Sequence, residues 1–113
     1  MTKATIEVGN AKTDGSKGWF VGHFMEKGTL AHTNDVEVKW GDHPKGHVRK
    51  EWAEAENRPT LVLLIKGRFV IEFPNAEKVV LEKEGDYVLW NDIPHTWRAE
   101  KDTLTIAVRW PSR

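Results

Sequence analysis

The second half of the chain is cut by turn signals at even intervals, and this spacing constrains the fold more than any other feature. Turns are marked by Lys66-Gly67, Pro74-Asn75, Lys83-Glu84-Gly85-Asp86, Asn91 to Pro94, and Glu100-Lys101-Asp102. The runs between them are short and β-rich: Thr60 to Ile65, Arg68 to Phe73, Lys78 to Leu81, Tyr87 to Trp90, His95 to Ala99, and Thr103 to Trp110. Short strands joined by tight turns predict an all-β antiparallel sandwich or barrel. Alternation agrees. Phe69, Ile71 and Phe73 share one face, and Val70 and Glu72 the other. Leu104, Ile106, Val108 and Trp110 oppose Thr103, Thr105, Ala107 and Arg109. Period two of this kind predicts strands with one buried face, the apolar one.

The first half is less regular. Thr5 to Val8 reads as an edge strand and residues 10–18 as a loop. Trp19 to Met25 reads as a strand with Gly22 as a bulge or close-packing point. Val36 to Trp40 alternates and is expected to end at Gly41. Arg49 to Asn57 alone has helix-compatible composition, but it is too short to stand as a helix. It reads as a loop with at most one helical turn. The 113 residues suit a single domain. Its core barrel is expected over residues 36–110, with residues 1–18 as an arm or edge strand.

Composition removes several function classes. Lys+Arg and Asp+Glu are equal at 17 each, so no basic surface points to nucleic acid. No apolar run approaches the ~20 residues of a membrane span. The N-terminus shows no basic segment followed by an apolar core, which favours the cytoplasm. With no cysteine, disulfides, thiolate ligands and a cysteine nucleophile are excluded. No glycine-rich phosphate loop and no Gly-x-Ser-x-Gly elbow is present. Six tryptophans are many for this length. By ordinary burial tendency about four of them belong to the core, leaving the others for a pocket.

The segment Gly85-Asp86-Tyr87-Val88-Leu89-Trp90-Asn91-Asp92-Ile93-Pro94-His95-Thr96-Trp97 reads as turn, strand, second turn and a strand opening on a histidine. Side chains alternate along a strand, so Trp97 and Ala99 face the same way as His95. The segment resembles the second signature of the cupin family, one residue shorter before the histidine than the commonest spacing. Leu61-Val62-Leu63-Leu64-Ile65-Lys66-Gly67 resembles the end of the first signature. The resemblance implies a small antiparallel cupin-like β-barrel of the double-sheet jelly-roll type, open at one end, and a homodimer. It also implies a first-signature set of two histidines and a glutamate. Counting back from Gly67 puts Thr60 at the glutamate, and Ala53 and Ala55, or Glu54 and Glu56, at the histidines. An inserted loop over Ala53 to Pro59 moves the counterpart to His47-Val48-Arg49, with His43 near.

Three readings of the site follow. In one, His43, His47 and His95 with Glu51 hold one divalent transition metal, Fe, Mn or Zn, in a mononuclear enzyme of dioxygenase, isomerase or decarboxylase type. In another, no metal is needed: Trp52, Trp90 and Trp97 give apolar walls, and His95, Arg49, Arg98 and Asp92 give polar contacts. An aromatic floor with charged tips suits a sugar or a small acid. In the third, His95 is a structural histidine satisfied by its neighbours. His23 and His32 read as structural.

Overall fold

The computed structural model describes residues 5–74 and 78–113. Eight strands run in chain order: β1 (Trp19–Val21), β2 (Glu37–His43), β3 (Thr60–Lys66), β4 (Phe69–Glu72), β5 (Lys78–Leu81), β6 (Tyr87–Trp90), β7 (Thr96–Ala99) and β8 (Thr103–Arg109). All pairings are antiparallel. One sheet has the order β1-β2-β8-β3-β6 and the other β5-β4-β7. The described residues contain no α-helix. Among the described residues no helix is long and apolar enough to cross a membrane.

The turns fall where the sequence puts them. Gly67, at φ 106°, joins β3 to β4, and a Cβ there would lie 2.4 Å from Thr103 Oγ1 and 2.5 Å from the Asp102 carbonyl. Both the positive φ and the lack of room require glycine. In the turn before β6, the Asp86 carboxylate accepts from the Glu82 and Lys83 amides at 3.1 and 2.9 Å. These bonds hold its pKa below the ordinary carboxylate value.

The first half departs from expectation in three places. Thr5 to Val8 is no strand; it is exposed, with Ile6 and Val8 open to solvent. β1 stops at Val21 because Gly22 turns at φ 152° and donates instead to the Ala31 carbonyl. β2 does not end at Gly41 but continues to His43, pairing with β8 down to His43–Thr103. Arg49 to Asn57 contains no helix, in keeping with the loop expected there, and begins within the irregular segment of residues 46–53. That segment runs beside β7 through bridges Val48–Arg98 and Ala53–His95, with Arg49 N donating to the Trp97 carbonyl at 2.9 Å. Five residue steps from Val48 to Ala53 oppose three from His95 to Arg98, so the stretch around Lys50 to Trp52 loops outward.

The apolar core lies between the sheets. Val62, Leu64, Phe69, Ile71, Phe73, Leu81 and Ala99 form it, with Trp90 and Trp97 packed against it. Each such aliphatic or aromatic burial contributes about 1.5–3 kcal/mol. Phe69, Ile71 and Phe73 thus face inward as their alternation predicts.

β8 reverses the expectation. Its inward face is Thr103, Thr105, Ala107 and Arg109, and its apolar face points away from the barrel. Cross-strand register carries that outer face over four strands. One row is Val38, Val108, Leu61 and Leu89; the next is Trp40, Ile106, Leu63 and Tyr87. Tyr87 and Leu89 are 61% and 54% exposed. The polarity is inverted because part of the barrel interior is a cavity, lined by polar side chains together with the core residues Val62, Phe69 and Ile71.

Candidate functional site

β2 presents Glu37, Lys39, Gly41 and His43 inward by simple alternation. β8 presents Thr105, Ala107 and Arg109 beside them. These residues cannot make a dry core. Together with β1, β7 and the 46–58 segment they enclose a cavity of about 520 Å³.

Its walls carry three aromatic groups. His43 packs on Phe69 and Trp97 at ring-centre distances of 5.0 and 4.6 Å. Trp90 packs on His95 at 4.7 Å and Phe73 at 5.6 Å. Trp19 underlies two cations: the Arg109 guanidinium lies 4.2 Å and the Lys39 ammonium 5.5 Å from its ring centre. Gly41 keeps the floor open, since a Cβ there would meet Thr105 Oγ1 at 2.2 Å and His43 Nε2 at 2.8 Å.

The cavity has an excess of unpaired positive charge. Glu37, wholly buried, takes Arg58 at 3.0 Å, pairs with Arg109 Nε, and accepts from Ser112 Oγ at 2.8 Å. Glu56 takes Arg58 at 2.9 Å. Among the described residues neither Lys39 nor Arg49 has a carboxylate partner; Arg49 Nε donates only to the Glu51 carbonyl. Glu54 is the remaining acid on the lining. Burial, then the Arg109, Arg49 and Lys17 charges, push the Lys39 pKa down. Burial and then Arg49 and Arg109 push His95 down to about 4. Burial and then His47 do the same to His43, also to about 4. Both imidazoles are neutral at pH 7. The buried Nδ1 of His95 has no hydrogen-bond partner among the described residues.

The structure sorts the residues singled out from sequence. His95, Trp97, Trp90, Arg49 and His43 line the cavity. Trp52 does not; it stands on the outward loop, 49% exposed. Glu51 is exposed on the same loop. Arg98 lies on the outer face of the small sheet, paired with Glu72 and Glu100, and Asp92 sits exposed in its turn. His47 touches His43, Nδ1 to Nδ1 at 3.0 Å, and belongs to a second, adjoining cavity. His23 binds Ser112 Oγ at 2.6 Å and His32 the Met25 carbonyl at 3.0 Å, both local structural bonds. No tryptophan is fully buried: Trp19, Trp90 and Trp97 line the cavity, Trp40 lies on the outer face, and Trp52 and Trp110 are exposed. Their expected core role goes largely to smaller side chains.

The metal set implied by the resemblance finds poor support in these donors. Ala53 and Arg49 occupy the positions paired with His95 and Trp97. Among the described residues no three of His, Cys, Asp and Glu are grouped to hold a metal ion. An alanine and a cation beside His95 do not fit a divalent ion.

Two packed antiparallel sheets with an open, side-chain-lined interior define a cupin-type fold, and the chain has that fold. It is similar to KdgF from Halomonas sp., with TM-score 0.62 and 27% identity over 74% of this chain and 77% of that one. It is also similar to a cupin superfamily protein from Desulfitobacterium hafniense, with TM-score 0.62 and 20% identity, covering 72% of each chain. The EutQ protein of Clostridium difficile gives TM-score 0.60 and 15% identity, covering 74% of this chain and 58% of that one. No family model and no curated protein matches the sequence.

Proposed function

We propose that the protein binds a small organic acid, of the sugar-acid or hydroxy-acid class, inside the barrel and without a metal. The observation that carries this reading is the pair Lys39 and Arg49: two cations on a cavity wall, in each other's field, with no carboxylate partner. Half-buried Lys39 feels the repulsion of exposed Arg49, and a bound anion relieves that cost. Arg49 offers a planar donor fork suited to a carboxylate, and Lys39 a point charge. Trp19, Trp90 and Trp97 give flat apolar faces for a carbon skeleton, and His95 adds a neutral imidazole to the lining. Neutral His43 and His95 add polarity without further charge.

Calorimetric titration at fixed ionic strength tests this with gluconate against glucose. Gluconate is expected to bind, and glucose to bind far more weakly. Lys39→Met and Arg49→Met should each weaken gluconate about tenfold, the scale of one hydrogen bond to a charged group. Added chelator should change neither affinity nor melting temperature. Equal binding of glucose and gluconate, or a chelator-sensitive affinity, would refute the reading.

A further inference from the structure

A second cavity, of about 350 Å³, adjoins the first, and the two share Lys39, Gly41 and His43. It lies between the 11–18 loop and the end of β2. Its charged and titratable lining is Lys12, Lys17, Lys39, His43 and His47, against the single acid Asp42. Among the described residues none of the three lysines has an ion pair.

The loop that carries Lys17 is built, not loose. Ser16 and Trp19 exchange backbone hydrogen bonds at 3.1 and 2.9 Å, and Trp40 N donates to the Gly18 carbonyl at 2.9 Å, tying the turn to β2. The two central residues have φ 53° at Lys17 and 91° at Gly18. That is the type I′ hairpin turn, whose first central position favours Asn, Asp or Gly. A lysine in the left-handed region is uncommon and costs more than asparagine would. The backbone gains nothing from lysine here. Lys17 lines the second cavity, and its charge adds to those of Arg109 and Arg49 in depressing Lys39. Backbone cost borne at a charged cavity wall marks a functional position.

We infer that the second cavity is an anion subsite anchored by Lys17, and that the ligand is a dianion spanning both cavities across Lys39. The inference rests on the barrel binding an acid. One anionic group sits with Arg49 and Lys39; the other, a carboxylate or a phosphate, sits with Lys17 and Lys39. Lys12 and His47 flank the second group.

Three probes sharing a six-carbon skeleton test it: gluconate with one carboxylate, glucarate with one at each end, and 6-phosphogluconate with a terminal phosphate. Titrations at fixed ionic strength should show at least one dianion binding about tenfold tighter than gluconate. Whichever gains more identifies the second group, and inorganic phosphate should compete if it is 6-phosphogluconate. Lys17→Asn should remove this gain and change gluconate affinity far less, through the Lys17 charge on Lys39 alone. Its melting temperature should stay equal or rise, because asparagine suits the turn, so a folding defect cannot mimic the result. If both dianions bind no tighter than gluconate, or if Lys17→Asn leaves their advantage intact, the subsite is refuted and the barrel reading stands. If none of the three binds, both fall.

Discussion

Lys39 shows how one side chain's direction decides what a site is. On a strand its neighbours Val38 and Trp40 look like the buried pair and Lys39 like the solvated residue; the barrel reverses this, and Lys39 faces the cavity. The signal was present in the spacing. Glu37, Lys39, Gly41 and His43 step by two, so one face of β2 carries every polar inward group. Ending the strand at Gly41 hid it, because His43 then seemed to lie in a separate turn. Arg109 was missed for a different reason: it shares a face with Thr103, Thr105 and Ala107, opposite the apolar residues of β8. His95 was legible because a turn with proline fixes where its strand begins. The two neutral imidazoles set the pH response. Their folded pKa values, about 4, lie below the ordinary 6.5. Between those values the unfolded chain binds more protons, so stability rises with pH across the window and is lost as pH falls from 6.5 toward 4. Melting temperature should therefore decline on acidification over that range, and His43→Asn should make the decline shallower.

At the scale of elements, β2 and the C-terminal tail are joined by one buried carboxylate. Glu37 holds Arg58, Arg109 and Ser112, while Arg58 Nη1 donates to the Arg113 carbonyl at 3.0 Å and Ser112 N to the Asn34 carbonyl. Removing one partner of a buried ion network leaves uncompensated charge and costs about 3–5 kcal/mol. Glu37→Gln should lower the free energy of unfolding by an amount of that order, read from the denaturant midpoint and slope. It should also weaken acid binding, because Arg109 loses the group that fixes it over Trp19. No sequence pattern announces this network, since its members are far apart in the chain and meet only through β2–β8 pairing and the tail. The small sheet was more legible. β4, β5 and β7 fall within a residue of the runs read from turn spacing, because turn residues bound each run; only β4 and β5 pair as a hairpin. The 46–53 segment was not, because its two extra residues relative to β7 leave no periodicity to read.

At the scale of the whole molecule, the two sheets enclose an apolar core and a polar chamber. The core follows from alternation in β4 and from the aliphatic run of β3. The chamber follows from polar residues that share a face with no apolar periodicity at all, and for that reason the fold was read more fully than the site. The outer face of the five-stranded sheet carries the apolar residues that a filled barrel would have taken inside. The placement of the indoles has an optical consequence. Trp19, Trp90 and Trp97 border the chamber, whereas Trp52 and Trp110 meet bulk water. The protein thus contains its own fluorescent reporters in two populations. Filling the chamber should shift the blue-side emission and shield it from acrylamide, while the red-side emission stays open to quencher. Intrinsic fluorescence would then register occupancy without any label, and a ligand docking elsewhere on the surface would leave the blue-side component unmoved.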